Sequence, residues 1–321
     1  MPVFFALCLS LLLAPPLVAG ESGDLRSPYT IVDEAPASHW REVAPADSLY
    51  IELATGLVVV ELLPAIAPRH SANIRALAAQ GFYDGLSIYR VVDGFVAQGG
   101  ERVATRERKP LQGAARQLPG EFEFQGKLPW PFKAVDRDDG FAARSGFLHG
   151  FHAGRNGDTS WLLHCPGAFA LARNDAPDTG GSEFYAVLGH APRYLDRNVT
   201  VFGAVRHGMP ALQRLNRGRD ASGQLEPERR NPIIRVRVGS GVPASERLRL
   251  QVMDTDSPSF DELVRSRAHR PEAWFVHRPD YVDVCGVGVP VFVVRSGEAI
   301  NLTQFFWRFR GWYVYTAGRF A

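Results

Sequence analysis

Cysteine is scarce in this chain: Cys8, Cys165 and Cys285 are the only three in 321 residues. Cys8 lies in an N-terminal segment read below as removable. At most one disulfide, Cys165 to Cys285, is therefore open to the mature chain, and two free buried thiols are the equal alternative. An excess of one charge is also missing. The 36 Lys and Arg nearly cancel the 34 Asp and Glu, leaving +2. That excludes the basic footprint of a nucleic-acid binder, so no nucleic-acid partner is expected. His149, His152, His164 and Cys165 match no closed zinc spacing, and no metal is expected. There is no Gly-x-Ser-x-Gly elbow, no Walker A run and no Gly-x-Gly-x-x-Gly after a strand. No cofactor-binding motif is therefore found, and no cofactor is expected.

Long apolar runs are absent too, except at the start. Val3 to Val18 carries no charge: the apolar run Phe4 to Ala14 is followed by Pro15-Pro16, and small Ala19 and Gly20 precede the polar Glu21-Ser22-Gly23-Asp24. The run is short for a membrane span and has the length of a secretory signal's apolar region. Residues 1–20 are read as a signal peptide rather than a buried N-terminal strand or helix. An exported location is expected, the periplasm or the eukaryotic secretory route, with no membrane span in the mature chain.

What is present is a series of short β-rich runs. Residues 21–47 are polar and proline-bearing and read as a leader or linker. Leu49–Leu53 and Leu57–Leu62, separated by Ala54-Thr55-Gly56, form a hairpin signal. Residues 68–80 carry Ile74, Leu77 and Ala78 at helical spacing before Gly81. Strands are expected at 86–92, 95–98, 168–172, 183–188, 200–205 and 232–238, with a helix at 209–215. Residues 101–166 read as a long loop excursion with small elements. Residues 241–321 read as a C-terminal extension, with a strand at 248–252 and a capping box starting a helix at Ser259. Many short strands with turn signals point to a closed antiparallel barrel or a sandwich, spanning residues 48–240. Asn198-Val199-Thr200 and Asn301-Leu302-Thr303 are glycosylation sequons of the kind that arise by chance.

Three stretches stand out. The first is Arg90-Val91-Val92-Asp93-Gly94-Phe95-Val96-Ala97-Gln98-Gly99-Gly100. The second is Leu171-Ala172-Arg173-Asn174 continuing to Gly181-Ser182-Glu183-Phe184-Tyr185. The third is Tyr194-Leu195-Asp196 to Val201-Phe202-Gly203. In order and spacing they resemble the cyclophilin family of peptidyl-prolyl cis-trans isomerases, over about Leu49 to Val238, in its exported bacterial form. The resemblance implies a mainly β fold: a closed eight-stranded antiparallel barrel capped by two helices, with the active site on its outer face. It also implies a monomer whose partners are proline-containing polypeptides.

The same resemblance assigns roles. Arg90 stands at the catalytic arginine and Gln98 at the glutamine that holds it. Phe95, Val96, Phe184 and Leu195 match the proline pocket. Either Arg173 or Asn174 supplies the backbone that grips the peptide, and Ala172, Glu183 and Tyr194 complete the substrate-binding set. Glu183 stands where the family commonly has Gln, placed either to pair with Arg90 and dull it or to orient it. Tyr194 stands where an aromatic, often Trp, governs cyclosporin binding, which points to weak drug binding. Val199 replaces a His of eukaryotic members.

Overall fold

The computed structural model describes residues 25–101, 109–135 and 139–294. The expected signal peptide, the Asn301 sequon and the aromatic C-terminal tail lie outside the described residues.

Eight strands close into an antiparallel barrel. They are β1 (Ser48–Leu53), β2 (Gly56–Leu62), β3 (Ser87–Val91), β4 (Val96–Gly100), β5 (Ala168–Leu171), β6 (Glu183–Val187), β7 (Val201–His207) and β8 (Asn231–Val238). Their order around the barrel is β5-β6-β4-β3-β8-β1-β2-β7, and β7 pairs back onto β5. Closure leaves no unpaired edge. Leu49, Ile51, Leu53, Val58, Val60 and Leu62 point inward with Phe169, Phe184 and Phe202. Two helices cap the interior, α2 (Pro68–Ala79) and α3 (Met209–Gln213). Ile74 and Leu77 of α2, and Ala211 and Leu212 of α3, belong to this core. Pro68 opens α2 where its missing N–H costs nothing. Glu121 accepts the Arg69 and His70 N–H groups there, each at 3.0 Å.

The barrel's outer face is covered as well. Tyr50 and Val59, which point outward, pack with Val252 and Leu250 of the C-terminal region. Coverage of both faces explains why β2 reads as a continuous apolar run instead of an alternating one.

Residues 101–166 depart from the loop excursion read in the sequence. Five strands, 124–125, 133–135, 144–148, 151–156 and 159–162, form one antiparallel sheet. Its two faces belong to two different cores. Leu148, Phe151 and Leu162 face the barrel, while Phe147 and Trp161 face the C-terminal region. Burial on both sides erases the alternation that would have marked them as strands.

The stretch read as a leader is folded from Pro28 onward. Helix α1 (Pro28–Asp33) buries Ile31, and Trp40–Glu42 pairs with Arg249–Met253. Val291–Val294 completes that three-stranded sheet. Helix α4 (Pro258–His269) packs beside α1, and its cap is Ser257 rather than Ser259: the Ser257 hydroxyl accepts the Phe260 N–H at 3.3 Å. Ser259 instead bonds His39 Nδ1 at 2.8 Å. Cys165 and Cys285 are joined in a disulfide, which resolves the choice the sequence left open. No helix among the described residues is long and apolar enough to cross a membrane.

Candidate active site

The site rests on three neighbouring strands. Across them Arg90 of β3 lies opposite Gln98 of β4, which lies opposite Tyr185 of β6. Residues directly opposite one another share a face, and this row faces outward. The next row, Ile88, Gly99 and Phe184, faces the barrel core. Phe184 is therefore a core residue and not a pocket wall, which corrects the sequence assignment. Its neighbour Tyr185 takes the outer position.

A bulge in β3 makes the row possible. Between Ile88 and Arg90 the register slips by one residue against β4. Ile88 and Val91 both point inward, so the bulge is what sends Tyr89 and Arg90 together to the outer face. Gly100 has φ +114°, and a Cβ there would meet the Ser182 carbonyl at 2.4 Å, so this close approach of β6 requires glycine.

Arg90 is held at two points. Its Nε donates to the Ser222 carbonyl at 2.8 Å, and its Nη1 donates to Gln98 Oε1 at 3.1 Å. Its guanidinium carbon lies 5.8 Å from the centre of the Phe95 ring. The Ser222 loop is itself fixed: Val91 N–H donates to the Gly223 carbonyl and Gly218 N–H to the Val91 carbonyl. Asp220 accepts both the Ser222 N–H and its hydroxyl, which holds the Asp220 carboxyl below its ordinary range. The side-chain amide of Gln98 donates to the Tyr89 hydroxyl at 2.8 Å and to Glu183 Oε2 at 3.1 Å. Tyr89 also donates to Glu183 Oε2. Glu183 thus meets Gln98, the residue whose Oε1 accepts from Arg90.

Beside this chain lies an apolar patch. Phe95, Val96, Ala172, Tyr185 and Val199 belong to one cluster on the outer face. Tyr194 and Leu195 follow in a short turn, Arg193–Leu195, with Tyr194 exposed and Leu195 half-buried. The turn is tied to the patch from below. Asp196 accepts the His164 N–H and bonds His164 Nδ1, both at 2.9 Å, and His164 Nε2 meets the Tyr185 hydroxyl at 2.9 Å. A carboxylate can only accept, so Nδ1 carries a proton toward Asp196, and Nε2 faces the Tyr185 hydroxyl. Burial, aided by the Asp196 charge, pushes the Tyr185 hydroxyl well above its ordinary value, so it stays protonated. Arg193 completes the network, bonding Asp196 at 2.5 Å and Asp139 of the inserted sheet at 3.0 Å.

In the loop after β5, the Asn174 N–H donates to Thr179 Oγ1 at 2.9 Å. The Asn174 carbonyl accepts from Arg173 Nη1 at 2.7 Å. The Arg173 side chain is turned to the Asn198 carbonyl at 2.8 Å. Sequence reasoning missed Tyr89, Tyr185, Ser222 and His164. Counting strand parity from an outward Glu183 finds Tyr185. No local pattern finds Ser222, 132 residues from Arg90. Among the described residues no group of three or more His, Cys, Asp and Glu is placed to hold a metal.

A closed eight-stranded barrel with an arginine–glutamine pair beside an apolar outer patch defines a protein class. Residues 48–238 match the family model described as cyclophilin type peptidyl-prolyl cis-trans isomerase/CLD, and the chain belongs to this family. It is a peptidyl-prolyl cis-trans isomerase. Among solved structures it is similar to the cyclophilin AquaCyp293 from Hirschia baltica. That match has 28% identity and a TM-score of 0.66, covering 81% of this chain and 95% of the other. A probable peptidyl-prolyl cis-trans isomerase of Brucella suis is 28% identical over 55% of this chain and 75% of its own length. Peptidyl-prolyl cis-trans isomerase B of Bacillus subtilis is 31% identical over 49% of this chain and 82% of its own.

Proposed function

We propose that this isomerase acts on exported proteins, turning X–Pro bonds with Arg90 as the catalytic group. Rotation about the imide crosses a barrier of about 18–20 kcal/mol because the nitrogen lone pair is conjugated with the carbonyl. In the twisted state the proline nitrogen turns pyramidal and regains that lone pair. A fixed cationic donor aimed at it stabilises the twisted state over both planar ones, and only such a difference raises the rate. The observation that carries this reading is the two-point hold on Arg90, Nε on Ser222 and Nη1 on Gln98, next to the Phe95 ring. A guanidinium so held presents its donors in a fixed geometry. The apolar patch of Phe95, Val96, Tyr185 and Val199, with Leu195 at its rim, receives the proline ring, and Tyr194 and the backbone at Arg173 or Asn174 engage the flanking chain. No cofactor is needed, since no bond is made or broken.

Two observations support an oxidising, exported setting: the uncharged run at 3–18 and the Cys165–Cys285 disulfide. The Ala172-Arg173 form of the second motif resembles bacterial members, which favours the periplasm over a eukaryotic secretory route. The periplasm is the compartment we assign. Slow uncatalysed isomerisation makes X–Pro bonds folding bottlenecks there. We take the working form to be a monomer without a nucleic-acid partner. A second reading, a proline-segment binding module with little turnover, is favoured by Glu183 and Val199 at positions where the family commonly has other residues. A protease-coupled assay on a short X–Pro peptide, with and without residues 241–321, separates the two. Turnover supports the enzyme reading, whereas binding without turnover supports the module.

A further inference from the structure

We infer that the inserted sheet builds a second substrate subsite beside Tyr194, which takes an uncharged aromatic or large apolar side chain near the substrate proline. The inference rests on the isomerase reading above and extends the same groove. A cavity of about 550 Å³ lies between the inserted sheet and the turn of the third motif. Glu123 and Phe141 line it from the insertion, and Arg193, Tyr194 and Arg197 from the turn.

Two large aromatic side chains of this cavity are open to solvent, Phe141 at 52% and Tyr194 at 65% exposure. Exposed aromatic rings facing one hollow are what a recognition site for apolar side chains requires. The charged groups around them are engaged with one another. Arg193 is buried and held by Asp196 and Asp139, and its guanidinium lies 5.2 Å from the Phe141 ring centre. It therefore supports the ring instead of reaching for a ligand. Arg197 pairs with Glu123 and covers the Trp161 ring at 5.0 Å. Every cation of the cavity thus has its anion, which disfavours a charged guest.

The site lies within reach of the proline patch. Tyr194 and Leu195 are consecutive, and an extended peptide advances about 3.3–3.6 Å per residue. A chain that seats its proline against Leu195 brings a side chain two or three residues away over Tyr194. The His164–Asp196–Arg193 network ties the floor of the patch to the wall of the cavity, so the two are parts of one rigid surface.

The test uses a glycine- and serine-flanked Ala-Pro heptapeptide and its variants with one Phe placed two or three residues before or after the proline. Isomerisation is followed by NMR exchange, and each protein is normalised to its own glycine peptide. One Phe position is expected to raise kcat/KM by about fivefold to tenfold, mostly through KM, as partial burial of a ring predicts. In Phe141→Ala the ratio should fall to one, and in Phe141→Trp it should return. Equal turnover of all peptides overturns the subsite while leaving the isomerase reading intact. A Phe preference that survives in Phe141→Ala also overturns it. Turnover of none of the peptides contradicts the isomerase reading itself.

Discussion

At the scale of single residues the site is a relay of hydrogen bonds ending at Arg90. Glu183 orients Gln98, and Gln98 orients Arg90. Glu183→Gln keeps an acceptor and should change kcat/KM by less than about threefold, whereas Glu183→Ala leaves the Gln98 amide only the Tyr89 hydroxyl and should lower kcat by about tenfold, one positioning bond's worth. Steady-state kinetics that place the Ala loss in KM instead would make Glu183 a substrate contact. His164 sits deeper, between Tyr185 and Asp196. His164→Ala leaves a buried hydroxyl and a buried carboxylate each short of a partner, which should cost about 1–3 kcal/mol in a denaturant titration. Much of this was legible in the sequence. Arg90, Phe95, Val96 and Gln98 stand in one contiguous run. Phe184 was misplaced because Phe and Tyr are adjacent and either suits a pocket, and only the β6 register decides which faces out. Ser222 and His164 were not legible, since their contacts join segments far apart in the chain.

At the scale of elements, the loop from Gly218 to Gln224 works as a clamp on β3. Gly223 has φ +69°, and a Cβ there would lie 2.4 Å from Val92 Cγ2 and 2.8 Å from the Val91 carbonyl. Gly223→Ala should displace the Ser222 carbonyl from Arg90 and lower kcat/KM while leaving the far-UV CD spectrum unchanged. Wild-type kinetics in that variant would show that the loop does not position the arginine. The barrel strands were readable even where both faces are buried, because the hairpin turn at 54–56 and the three motif stretches mark them. The inserted sheet was not, since its residues are shared between two cores and lose their period of two. The strand at Trp40–Glu42 was missed for another reason: three residues are too few to show any period.

At the scale of the whole molecule, long-range ties bind the added parts to the barrel. The disulfide spans 120 residues and joins the segment before β5 to the C-terminal region. Cys285→Ser should lower stability by about 2–5 kcal/mol, read as a fall in denaturant midpoint. A second tie is ionic. Burial opposes ionisation of Glu61, but Arg206 and Arg41 outweigh it and hold the carboxyl below its ordinary range. His149 and His152 sit nearby in the insertion, and burial pushes both down to about 4. Between their ordinary value of 6.5 and about 4 the unfolded chain binds protons that the folded chain refuses. Stability should therefore be full above about pH 6.5 and fall as pH drops toward 4. A midpoint that stays flat over that window would mean these imidazoles titrate freely. The most direct test of the central claim is NMR exchange on an X–Pro peptide bound to the parent and to Arg90→Ala. The account predicts that the variant binds the peptide with similar affinity while catalysed exchange falls by about 10²–10³. Exchange at the parental rate in the Arg90→Ala variant would contradict it.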